Sequence, residues 1–109
     1  DDESSGQRKS KFLVAGLAGL GRLDSHSASN LAGELGINFA PRTRWMEVMA
    51  RAGEYGNPAL VAMLAALGMQ GDGWDEMTPR HLYHIVRSLD RAGLSAEARM
   101  IAAEAVARA

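Results

Sequence analysis

The chain has no cysteine. Disulfides, iron–sulfur clusters and thiolate zinc sites are excluded, and cysteine usage leaves the redox compartment open. Net charge is almost absent as well, at −1, so nothing in the total charge draws the chain to nucleic acid or to an acidic membrane. No apolar run is long enough to cross a bilayer. No secretory signal is present, and the chain starts with Asp1 rather than Met, the mark of a processed product or a piece of something longer. Lysine is scarce beside arginine and alanine is abundant, the composition of a GC-rich bacterial gene. No segment alternates with period two for long enough to make a strand. Catalytic motifs are missing too: no Gly-x-Ser-x-Gly, no phosphate loop, and no carboxylate pair that spacing brings together. An enzyme is not expected, and neither is a cofactor.

What is present is repetition. Residues 13–21 read Leu-Val-Ala-Gly-Leu-Ala-Gly-Leu-Gly and residues 60–68 read Leu-Val-Ala-Met-Leu-Ala-Ala-Leu-Gly, with seven of nine positions identical at an offset of 47. Residues 47–52 and 104–109 share four of six positions at an offset of 57, so the second unit is the first with about ten residues added. Repetition of this length points to a helical array, whose units bury their apolar faces on one another.

Residues 1–10 carry no apolar side chain worth burying and read as a disordered lead-in or linker. Six helices follow over 11–109. The first spans 11–20, capped by Ser10. The second spans 25–35, between Asp24 and Gly36. The third spans 41–52, with Pro41 in its first turn. The fourth spans 58–67, with Asn57 as cap, Pro58 first and Gly68 as stop. The fifth opens on Thr78-Pro79 with a Met77/Leu82 staple and ends before Gly93. The sixth spans 96–107 behind Ser95. The fold class is all-α: two stacked three-helix repeat units, 11–52 and 58–109, in an α-solenoid-like bundle. Leu17, Leu31, Trp45, Leu64, Leu82, Ile85 and Leu89 are the expected core.

A residue kept in both units serves the shared fold. Glu47/Arg51 and Glu104/Arg108 are helix-stabilising pairs, and Gly21/Gly68 and Gly36/Gly93 are helix stops. A residue in one unit only is free for other work. His81 and His84 share a helix face, but no third ligand is fixed by spacing, so no metal is assigned. Arg80, His84, Arg87 and Arg91 form a stripe opposite the apolar face of the fifth helix, with Tyr83 beside it. Such a stripe either tracks phosphates or is the solvated side of an amphipathic helix. Trp74 lies in a Gly- and Asp-rich insertion, as a binding anchor or as a plug over the repeat junction. The candidate binding residues are therefore Trp74, Arg80, Tyr83, His84, Arg87 and Arg91.

The Leu-Val-Ala-x-Leu-Ala-x-Leu-Gly units and the ending Gly93-Leu94-Ser95-Ala96-Glu97-Ala98-Arg99 resemble the α-solenoid ends of uncharacterised bacterial proteins. The tetratricopeptide period of about 34 does not fit, while the offset of 47 sits at the edge of the HEAT/armadillo range. The resemblance implies a non-enzymatic protein-interaction or scaffold domain, the C-terminal part of a longer helical-repeat protein. It would hold a protein partner or its own upstream repeats. The alternatives are a nucleic-acid-binding domain using Arg80, Arg87 and Arg91, and an accessory domain of an enzyme.

Overall fold

Side-chain caps set four of the six α-helix starts. The computed structural model describes residues 2–70 and 73–109, and contains α1 (Asp2–Gly19), α2 (Ser25–Leu35), α3 (Arg44–Glu54), α4 (Pro58–Met69), a 3₁₀ turn (Gly73–Glu76), α5 (Pro79–Arg91) and α6 (Ser95–Arg108). There is no strand among the described residues. Asp24 accepts from the Ser27 amide, Asn57 from Leu60 and Thr78 from His81, which satisfies a first-turn donor in each case. Gly36 and Gly93 close α2 and α5 at φ +71° and +91°, where only glycine sits without strain.

Several boundaries depart from the sequence reading, among them the end of α3 at Glu54 rather than at residue 52. Helix α1 begins at Asp2, so the expected disordered lead-in is helical and Ser10 is no cap. Cations fix its outer half. Arg8 Nη2 donates to the carbonyls of Trp74 and Met77, each at 3.2 Å, and Lys9 Nζ donates to that of Val106 at 3.1 Å. Helix α3 starts at Arg44 because Thr43 caps it through the Met46 amide, which leaves Pro41 outside the helix. Helix α6 starts at Ser95 itself, with no side-chain cap. Helix α4 runs through Gly68 to Met69. Gly68 is not a stop but a seat: a Cβ there would lie 2.2 Å from Cζ2 of Trp45.

Helix α5 is the hub. It packs against α1, α3, α4 and α6; α1 also lies along α6 and α2, and α3 along α4. Leu82, Ile85, Val86 and Leu89 of α5 are buried with Phe12, Met49 and Val61 around them. Small residues allow the close crossings. Gly53 meets the backbone of Ser88, Gly19 meets Val86, and Gly16 meets Ala102. Of the expected core, Leu82, Ile85 and Leu89 are buried, whereas Leu17, Leu31, Trp45 and Leu64 are half-buried at its margin.

The echo between 13–21 and 60–68 maps onto α1 and α4. Val14 and Val61, 47 apart, are both buried, as are Ala18 and Ala65. The second helices differ in surroundings: α2 packs chiefly on α1, while α5 packs on four helices.

Two substitutions test this packing. Ile85 is fully buried, so Ile85→Ala should cost about 2–4 kcal/mol in chemical denaturation. A loss under about 1 kcal/mol would mean that this face is not packed. For Gly68→Ala, helix propensity alone favours a gain of about 1 kcal/mol, whereas displacing the Trp45 ring costs on the order of 1–3 kcal/mol. A net loss is expected, and a net gain would show that the ring does not rest there.

Candidate functional site

Six candidate residues came from the sequence, five of them on α5. The structure brings three of these five, Arg80, Tyr83 and His84, onto one neighbour, the irregular segment 36–43. Backbone groups in such a segment have no helix or sheet to pair with and need donors from elsewhere. Helix α5 supplies them. Arg80 Nε donates to the Asn38 carbonyl at 2.6 Å, and His84 Nε2 lies 2.8 Å from the Phe39 carbonyl. The Phe39 and Tyr83 rings stack at 4.3 Å between centroids and 19° between planes. Arg87 lies 5.9 Å over the far ring, that of Tyr83. The stripe is therefore covered in part: His84 is 3% exposed, Arg80 and Arg87 are half-buried, and Arg91 is exposed. Arg91, one turn on, pairs with Glu54 of α3 at 3.5 Å.

The bond to Phe39 fixes the His84 tautomer. A carbonyl only accepts, so Nε2 carries the proton, and Nδ1 is left buried with no partner. Burial holds the imidazole below its ordinary value. The bond to the Phe39 carbonyl pulls it up, with the neighbouring Ala40 backbone, and the Arg87 and Arg80 charges push it down further. His81 is also lowered, by burial and then by His84. Its ring meets the Trp45 ring edge-on at 4.7 Å, and Trp45 Nε1 donates to the Leu64 carbonyl at 2.8 Å. The two histidines thus serve different neighbours. Among the described residues, no three His, Cys, Asp or Glu gather to hold a metal ion.

Trp74 is apart from this cluster. It is half-buried between α1 and α6, its carbonyl accepts from Arg8, and Arg108 lies 5.4 Å over its ring. A cavity of about 250 Å³ separates it from Phe12 and Ala105. Arg108 in turn pairs with Glu104 at 2.6 Å; among the described residues no ion pair joins Glu47 to Arg51.

The surface that sequence reasoning missed is α4. No residue of Pro58–Met69 carries a polar side chain, yet the helix is covered on one side only. Ala59, Ala62, Met63, Ala66 and Leu67 are exposed, Met63 at 57% and Leu67 at 56%. Val48 and Tyr55, on the adjoining α3 and its cap, are exposed too. The signal was legible: a helix that is apolar all round is normally enclosed. A second apolar surface is the groove of about 470 Å³ between α1 and α6, lined by Leu13, Leu17, Leu20 and Val106. No helix is long and apolar enough to cross a membrane among the described residues.

The imidazoles set a pH dependence. Both have folded values below the unfolded one of about 6.5. Between those values the unfolded chain binds more protons. Stability is therefore full above about pH 6.5 and declines as pH falls through the folded values. His84→Gln keeps an N–H for Phe39 and cannot titrate. In denaturation series from about pH 7 to pH 5, it should flatten part of the decline. An unchanged slope would remove His84 as the group responsible.

No protein-family model matches this chain, nor does any curated protein or solved structure, so its function has to be read from its own chemistry.

Proposed function

We propose that this is a non-enzymatic protein-interaction or scaffold domain of helical-repeat type, which holds a helix of a partner protein against the outer face of α4. The observation that carries the reading is the unequal covering of the two echoed helices. In α1, Gly16 and Gly19 lie under Ala102 of α6 and Val86 of α5. The equivalent positions in α4, 47 residues on, are Met63 and Ala66, and both are exposed. Helix α1 thus receives helices from the following unit, and α4 has an apolar face without them. Ala59, Ala62 and Ala66 are small enough for another helix to approach closely, as α6 approaches α1 over Gly16 and Ala102. The partner's helix would be alanine-rich and apolar on one side, in the manner of α6. The stripe of arginines on α5 gives no support to tracking a nucleic-acid backbone, because Arg91 pairs with Glu54 and Arg87 lies over the Tyr83 ring.

Met63→Glu with Leu67→Glu should change stability by less than about 0.5 kcal/mol per site, because both side chains are exposed. A photo-crosslinker at position 63 in the source cells should give one discrete protein adduct, lost when Leu67→Glu is added. A crosslinker at His26, exposed on α2, should not give it. Adducts from position 26 alone, or none from position 63, would overturn the reading. An adduct with a second copy of this chain would overturn the separate partner.

A further inference from the structure

A second pocket lies on another part of the surface. It has a volume of about 530 Å³ and is walled by α1, the segment 36–43 with the start of α3, and the first turn of α5. Three cations from three elements line it: Lys11, Arg42 and Arg80. No carboxylate is among its lining residues. The ion pairs of the described residues lie elsewhere, at Arg91–Glu54 and Arg108–Glu104. Like charges gathered in a concavity repel one another, and an anion relieves that repulsion. Arg80 is fixed in place by its Nε bond to Asn38, which leaves the end nitrogens of its guanidinium for a ligand. His81 also lines the pocket, and its Nε2 is buried with no partner. Ile37, Met46 and Pro79 supply an apolar part of the wall, beside the polar Asn38, Thr43 and Thr78.

The charge count decides between anions. A carboxylate brings one negative charge against three positive ones. A phosphomonoester brings about 1.5 to 2 at neutral pH, with three strong acceptor oxygens. The volume is within the usual small-ligand range of about 300–1,000 Å³ and exceeds what a bare phosphate fills. We propose that this pocket binds a small phosphomonoester, with Lys11, Arg42 and Arg80 on the phosphate and Ile37, Met46 and Pro79 against the rest of the molecule. The site is independent of the α4 face, and either assignment can fail while the other stands.

The probe is phenyl phosphate, titrated into the full chain and followed by amide chemical shifts, with inorganic phosphate and phenol in parallel. Saturable shifts at Lys11, Arg42, Arg80 and Ile37 are expected with phenyl phosphate, weaker binding with inorganic phosphate, and none with phenol. Lys11→Gln and Arg42→Gln should each weaken binding about tenfold, the effect of losing one charge-assisted hydrogen bond. The melting temperature should hold in Arg42→Gln, whose side chain is exposed. Phenyl phosphate that binds no tighter than inorganic phosphate would overturn the proposal. So would the absence of saturation, or affinity unchanged in both variants.

Discussion

The packing of α5 against four other helices is the constraint on which the rest of the structure depends. A helix in that position normally needs apolar residues all round. This one is amphipathic, and it is buried because its polar side chains find backbone partners. Arg80 and His84 each satisfy a carbonyl in the segment 36–43, and Ser88 is small enough for α3 to close down at Gly53. Both sides of the interaction need it. The segment has no ladder of its own for those carbonyls, and the buried His84 imidazole has no water to donate to. A buried carbonyl or imidazole left alone costs more than the bond adds, so the two faces of α5 hold only together.

Around that hub, the repeated sequence is used unequally. Val14 and Ala18 of the first copy and Val61 and Ala65 of the second are buried alike, whereas Ala15 is buried and its counterpart Ala62 is exposed. The positions at which the copies differ set how closely a neighbour comes. Glycine in α1 admits a helix at contact distance, while Met63 in α4 presents a side chain instead. Gly21 and Gly68 look like the same helix stop in the two copies. Gly21 has φ +71° and ends a helix, whereas Gly68 is inside one and makes room for Trp45.

Fold class and helix count were legible because caps and stops are local. Asp24, Asn57, Thr78, Gly36 and Gly93 each act on backbone groups within a few residues of themselves. The misplaced starts of α1 and α3 were set by longer reach and by a competing cap. Arg8 and Lys9 extend α1 by bonding to residues more than sixty positions away, and no window of sequence carries that. The stripe Arg80–His84–Arg87–Arg91 was found, but its surroundings were not. Periodicity shows which side chains share a face and is silent on what covers it. The all-apolar run of α4 was readable from the start. Its exposed side was not, since that depends on which helices are near enough to cover it.

Helix α2 has a distinct place in this economy of contacts. It rests chiefly on α1, and Ala32 is its one buried residue, yet the segment that follows it is clamped to α5. Its inner side forms one wall of a groove of about 940 Å³, with Tyr83 and Arg87 opposite. Opening α2 exposes little apolar surface, so its amide protons form a low-energy exchange unit of their own. Those of α5 exchange only when the whole fold comes apart. The chain is therefore graded in local stability, and the grade follows the number of faces on which each helix is covered.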